Sequence, residues 1–264
     1  MNIITAGVRV TSWALAGIAI LAIGTASGAA ADRFDRAVAH EGRFAADSKR
    51  DALDHPAQML RLTGIKPGMQ VADMLAGDGY YSELLANLVG ARGQVLMINN
   101  AAFDHWSDGD RQARLAGNRL PNVEYQVLDL NQMNLTANSL DAIVLSKVYH
   151  DLYWVDTQNA TQGLWPKLDT SLVLDQLVHA LKRGGIVLLI DHSAKAGHGS
   201  ADASSLHRIE ESFARQDFEQ RGLKLIASSD LLRRSDDPRE QISYQEPMLG
   251  KTDRFVWVFR KTRH

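Results

Sequence analysis

Seven short runs rich in Val, Ile and Leu recur along the chain, at 70–76, 94–99, 123–130, 141–146, 186–190, 223–227 and 254–260, most of them separated by stretches with helical spacing. A strand that is apolar on both faces must bury both, so the alternation implies an α/β fold with a mainly parallel sheet covered by helices on each side. Leu84, Leu85, Leu88 and Val89 share one helical face before Gly90, and Leu174, Leu177, Val178 and Leu181 share another before Gly184 and Gly185. A third helix is expected over 206–220, with Leu206, Ile209 and Phe213 inward and Gly222 as its stop. The last run differs. It alternates bulky apolar residues and follows a loop rather than a helix, which predicts an edge or antiparallel strand.

Composition removes several chemistries. Among 264 residues, 29 Lys and Arg stand against 31 Asp and Glu with no basic cluster, so a nucleic-acid partner is not expected. With no Cys there is no disulfide framework, thiolate metal site or cysteine nucleophile. Residues 10–24 form a charge-free apolar run preceded by Arg9 and followed by Ala29-Ala30-Ala31, the three-part pattern of a secretory signal peptide. The run is short for a membrane span, which needs roughly 20 apolar residues. Cleavage near Ala31 leaves residues 32–264 as one domain, exported to the periplasm or secreted. Membrane contact is then expected only through the N-terminal segment where it stays uncleaved. A Cys-free chain also suits an oxidising compartment.

In a sheet of this kind, ligands sit beyond the carboxyl ends of the strands, near the point where strand order reverses. The polar residues at those ends are therefore the candidates: 73–79, 99–100, 129–130, 147–151 and 191–198. The first strand ends in Asp73-Met74-Leu75-Ala76-Gly77-Asp78-Gly79-Tyr80. Its small residues permit a sharp turn and let a ligand pack on the main chain at a helix N-terminus. A dinucleotide fingerprint needs a further small residue where Ser82 stands and an acidic residue where Asn99-Asn100 stand, which disfavours a nicotinamide dehydrogenase.

The loop instead resembles motif I of the class I S-adenosylmethionine-dependent methyltransferases, an acidic residue followed by x-x-small-Gly-x-Gly. The likeness continues in order through Val127-Leu128-Asp129-Leu130, Leu140 to Ser146, and Leu181-Lys182-Arg183-Gly184-Gly185. From 47 to 261 the chain is also similar to an exported bacterial group described as predicted methyltransferases. That similarity rests on Gly77-x-Gly79-Tyr80-Tyr81, Tyr149-His150-Asp151-Leu152, Asp191-His192, Leu206-His207-Arg208-Ile209-Glu210 and Lys251-Thr252-Asp253-Arg254-Phe255. The resemblance implies a Rossmann-like seven-stranded sheet whose last strand is antiparallel. It also implies S-adenosyl-L-methionine as cofactor, held by Asp73, Ala76, Gly77, Gly79, Tyr80, Asn99, Asp129 and Leu130. One position departs from the family pattern: Asn99 stands where most members have a carboxylate for the ribose hydroxyls, and a neutral amide accepts through one oxygen only.

Methyl transfer is an in-line displacement, so the protein mainly orients a small acceptor and, for a hydroxyl or amine, removes its proton. His150 is the candidate base, with Asp151 orienting its imidazole. Tyr149, Tyr153, Trp154 and Trp165 crowd one stretch and favour a planar, aromatic acceptor. Asp191, His192, His198 and His207 match no established metal-ligand spacing, so no metal is assigned. His207, Arg208 and Glu211 read as an ion cluster on a helix surface, and 47–51 as a solvated helix. Two alternatives remain: a noncatalytic exported binding protein that keeps the fold, and a metal-dependent enzyme using His150, His192 and His198.

Overall fold

The computed structural model describes Met1 and residues 32–262. The expected signal peptide at 1–31 lies, Met1 apart, outside the described residues. Among those described, no helix is long and apolar enough to cross a membrane. Residues 32–262 belong to one compact unit.

Seven strands carry the unit: β1 (Gln70–Met74), β2 (Gln94–Asn99), β3 (Val123–Val127), β4 (Leu140–Ser146), β5 (Leu181–His192), β6 (Leu223–Ser229) and β7 (Arg254–Lys261). They lie in the order β3-β2-β1-β4-β5-β7-β6, and β7 alone runs antiparallel to its neighbours. The chain builds β1, β2 and β3 in one direction and then returns to the other side of β1 for β4. The β1/β4 boundary is therefore the switch point, where the following loops part and leave a crevice.

Alternate strand residues feed two apolar layers, as strand geometry requires. Ala72, Met74, Ile143, Leu145, Val187 and Leu189 enter one core. Val71, Ala142, Val144, Ile186, Leu188 and Ile190 enter the other. The helices covering these layers are α1 (Arg33–Val38), α2 (Asp47–Asp54), α3 (Pro56–Thr63), α4 (Tyr80–Val89), α5 (Ala101–Trp106), α6 (Asp108–Leu115), α7 (Thr170–Ala180), α8 (Ala203–Leu206) and α9 (Glu211–Glu219).

The structure departs from the sequence expectation in instructive places. β1 stops at Met74 because Leu75, Gly77 and Gly79 take positive φ angles of 49°, 60° and 87°, which end strand geometry and start the turn. β5 begins early, at Leu181, with a register shift against β4 between Leu140 and Ala142, so Gly184 and Gly185 lie inside it. The helix expected over 206–220 is broken in two. His207 turns the chain at φ 50°, and Ile209 pairs with Ser193 beside the end of β5. The cause is Arg208, which is 0% exposed and grips Asp237 through two hydrogen bonds of 2.8 and 3.1 Å. A continuous surface helix would leave that guanidinium in water; Arg208 and Glu211 accordingly do not form a surface pair, and Glu211 meets Arg233 instead.

Candidate functional site

The loop after β1 is fixed from both sides. Gly77 donates its N–H to Asn99 Oδ1 and accepts from Asn99 Nδ2, each at 2.9 Å. One side chain that both donates and accepts is needed for this clip, and an amide has that property where a carboxylate does not. Asn99 is thus engaged with the loop rather than presented outward, which differs from its expected place at a ribose. Asp73 lies beneath the turn and accepts from Ser82 Oγ at 2.7 Å. Burial pushes its carboxyl up to about 7.

The far side of the loop is packed. A Cβ on Gly79 would meet Met97 Cε at 2.9 Å and Arg114 Cδ at 3.2 Å. Arg114, 1% exposed, reaches from α6 to the Asp78 carbonyl at 2.9 Å, the Asp78 carboxylate at 3.0 Å and Asp47 of α2 at 2.9 Å. Helix α2 is therefore not a solvated helix; it is held over the loop. Tyr80 donates its hydroxyl to Asp51 at 2.6 Å, and the Arg50 guanidinium lies 3.8 Å from the Tyr80 ring centroid. Tyr80 is covered by this helix. Ala76 and Gly77 are half-buried, Leu130 belongs to the core, and Asp129 is exposed, capping a short turn through Asn131 N–H at 2.9 Å.

Across the switch point, a cavity of about 580 Å³ opens beyond β4 and β5. Its apolar wall is Phe103, Trp106, Trp154 and Trp165. Trp106 and Trp165 lie nearly parallel, 12° apart with centroids at 6.5 Å, and Trp154 meets Trp165 edge-on at 5.7 Å. Tyr149 and Tyr153 do not join them. Both donate their hydroxyls to Asp217, at 2.7 and 2.5 Å, on the α9 side. Four aromatic residues of one stretch, 149–165, thus divide between cavity and core.

The polar wall is built on the ends of β4 and β5. His150 donates its backbone N–H to Asp191 Oδ2 at 2.8 Å and places Nδ1 2.7 Å from Asp191 Oδ1. Its Nε2 lies 3.2 Å from Asp151 Oδ1, and His207 Nδ1 lies 3.2 Å from the same oxygen. Burial alone would push the His150 imidazole down, but the Asp151 and Asp191 carboxylates outweigh it and bring it to about 10. In the free protein His150 thus holds its proton at neutral pH, unlike the near-neutral base expected from sequence. His192 bonds Thr252 Oγ1 through Nδ1 at 2.7 Å, and burial pushes its imidazole well down. His198 is elsewhere, exposed and paired with Asp202 at 2.9 Å.

Lys147 falls within the candidate strand end 147–151, but the sequence assigns it no role. It follows β4 directly at φ 63°, lines the cavity, and bonds Asp54 Oδ2 at 2.8 Å. Burial and Arg50 pull its ammonium down to about 8 against the opposing pull of Asp54. Arg254 bonds the other Asp54 oxygen. The available signal was position: Lys147 stands at a ligand-bearing strand end, and Thr252 and Arg254 belong to the 251–255 motif. Of the expected site residues, His150 and Asp151 line the cavity, whereas Asp73, Ala76, Gly77, Gly79, Tyr80, Asn99, Asp129 and Leu130 do not.

No family model matches the chain. It is 27% identical over 133 residues to the ubiquinone/menaquinone biosynthesis C-methyltransferase UbiE of Idiomarina loihiensis, covering 50% of this chain and 45% of that protein. The chain therefore spans less than half the length of this curated relative. A SAM-dependent methyltransferase structure from Aquifex aeolicus superposes with a TM-score of 0.54 at 20% identity, over 81% of this chain and 97% of the other. The [4+2]-cyclase SpnF superposes with a TM-score of 0.55 at 12% identity, over 85% of each.

Proposed function

The chain has the fold of the class I S-adenosylmethionine-dependent methyltransferases, and we propose that it transfers a methyl group from that cofactor to a small acceptor with a planar ring. The observation that carries this reading is the pairing of two features at one edge of the sheet. A glycine loop with an open side stands at the end of β1, and an aromatic cavity with a polar wall stands beyond the ends of β4 and β5.

The residues at this edge fit an adenosine-bearing ligand. Nothing lies within 4 Å of the Cβ position of Gly77, so the main chain is open to close approach there. Asn100 Nδ2, at the end of β2, is buried with no hydrogen-bond partner, and so is Trp165 Nε1 on the cavity wall. Buried donors without acceptors are costly, and a ligand that accepts from them removes the cost. Gly77 and Asn100 are accordingly the residues we assign to holding the cofactor, which supplies an electrophilic methyl group when bound. The stacked Trp106 and Trp165, with Trp154 at their edge, hold a flat acceptor and exclude water. His150 and Asp151 face it from the opposite wall and orient its reacting atom.

Calorimetry of the purified chain with S-adenosylhomocysteine tests this reading. One equivalent is expected to bind, and Gly77→Arg, which fills the open side of the loop, to abolish binding. No heat and no thermal shift at millimolar ligand would overturn it.

The proposal extends to location. Asp32 caps α1 by accepting from the N–H groups of Phe34 and Asp35 at 2.9 and 3.0 Å, so a chain cleaved after Ala31 keeps its first helix capped. N-terminal sequencing of exported protein is expected to begin at Asp32; a chain retained with its first residues contradicts it.

A further inference from the structure

The geometry points to a divalent transition-metal site on the cavity wall, formed by His150, Asp151 and His207. These three residues each offer one ligand atom, all within 4.8 Å of one another. Asp151 Oδ1 stands 3.2 Å from His150 Nε2 and 3.2 Å from His207 Nδ1. Two ligands about 2.1 Å from one ion lie about 3.0 Å apart in octahedral geometry and about 3.4 Å apart in tetrahedral geometry. The observed separations fall between these values, so the two nitrogens already stand around the oxygen as neighbouring ligands do.

The surroundings supply the second argument. A metal-binding imidazole usually donates its other N–H to a carboxylate, which fixes the ring's orientation, and the ion displaces the proton from the ligating nitrogen. Asp191, fully buried, does this for His150: it takes Nδ1 at 2.7 Å and is itself held by the backbone N–H groups of His150 and His192, at 2.8 and 2.7 Å. Asp151 and Asp191 together offset the charge of a dication in a buried place. All three ligands line the cavity, so the coordination positions they leave open face the acceptor. Two imidazoles and one carboxylate suit zinc, iron(II), manganese or cobalt, and are poor for calcium or magnesium.

The site differs from the one expected of His192 and His198. His192 is turned to Thr252 and His198 to Asp202. The break in the late helix is what supplies the third ligand, because His207 takes φ 50° there and so meets Asp151.

Zinc titration of the metal-free full chain tests the site, with calorimetry and the thermal midpoint as readouts. One equivalent is expected, together with a rise in midpoint. His207→Ala is expected to weaken binding at least tenfold while its metal-free midpoint stays close to that of the parent, since His207 is half-buried on a turn; His198→Ala leaves binding unchanged. Should His207→Ala unfold, cobalt(II) added to the parent protein gives the answer, as a visible absorption band that Asp151→Asn removes. No zinc bound at 100 µM, or binding that survives both His207→Ala and Asp151→Asn, would overturn the site. Zinc binding is measured without S-adenosylhomocysteine, so its failure and the failure of the methyl-transfer reading are separate results.

Discussion

Two glycines two residues apart in one loop are predicted to fail in different ways when each becomes alanine. Gly79 has φ 87°, a conformation that costs an L-residue about 1–2 kcal/mol. Its new methyl also lands 2.9 Å from Met97 Cε, 3.1 Å from Met97 Sδ and 3.2 Å from Arg114 Cδ. The Met97 methyl end can swing aside at little cost, whereas Arg114 cannot yield freely, because its guanidinium is buried among Asp47, Asp78 and Glu83. Overpacking of this kind costs about 1–3 kcal/mol. Gly79→Ala should therefore lose about 2–5 kcal/mol, a large part of the stability of an ordinary domain. Gly77, at φ 60°, carries the same backbone strain but has open space around its Cβ position. Gly77→Ala should lose only about 1–2 kcal/mol, keep the Asn99 clip, and lose at least tenfold in affinity for S-adenosylhomocysteine. Urea unfolding measures the first pair of quantities and calorimetry the second. Equal stability losses in the two variants would refute the packing of Met97 and Arg114 on the loop. Unchanged ligand affinity in Gly77→Ala would refute the assignment of its open side to the cofactor.

Three further changes probe the same framework. The folded chain keeps a proton on Asp73 up to about pH 7, whereas an unfolded Asp releases it near 4. Stability from this group is therefore present below about pH 4 and lost as pH rises through 7, by up to about 4 kcal/mol. Asp73→Asn removes that fall, and urea titrations at about pH 5 and pH 8 should show the variant gaining on the parent; a constant difference contradicts the burial argument. Asn99→Asp brings the chain nearer the family pattern yet leaves the Gly77 carbonyl without its donor, and should destabilise by about 1–3 kcal/mol; a neutral or stabilising result on thermal unfolding means the clip is not formed. Asp237→Ala leaves the buried Arg208 unpaired and should cost about 3–5 kcal/mol, which chemical denaturation would detect; a loss under 1 kcal/mol would mean Arg208 finds water instead.

Much of the fold was legible because both-face burial leaves a strong mark. Strands such as β4 and β5 read as continuous apolar runs, and β7 read as an edge or antiparallel strand; it is antiparallel, but it lies between β5 and β6 and β6 is the edge. The polar wall of the cavity was legible where it lay next to a strand end in sequence, as with His150 and Asp151 and the Asp191 that holds His150. Contacts made across the chain left little trace. Asp54 reaches Lys147 and Arg254 from a helix whose charged residues looked solvated, since periodicity records which face is apolar and not which charges find partners. The break at His207 was hidden for a related reason. Leu206, Ile209 and Phe213 keep helical spacing, and the partners that hold the turn, Asp237 on Arg208, 29 residues apart, and Ser193 beside Ile209, are distant in sequence. Asn99 carries a role that its position alone did not suggest: donor and acceptor in one group, it clips the Gly77 backbone.

A crystal of the chain soaked with S-adenosylhomocysteine locates the cofactor. Ligand density is expected against the open side of Gly77, with Asn100 Nδ2 donating to it and its sulfur end directed toward the wall of His150 and Asp151. Density confined to the aromatic cavity with the glycine loop untouched, or no density at saturating ligand, would overturn the methyl-transfer reading.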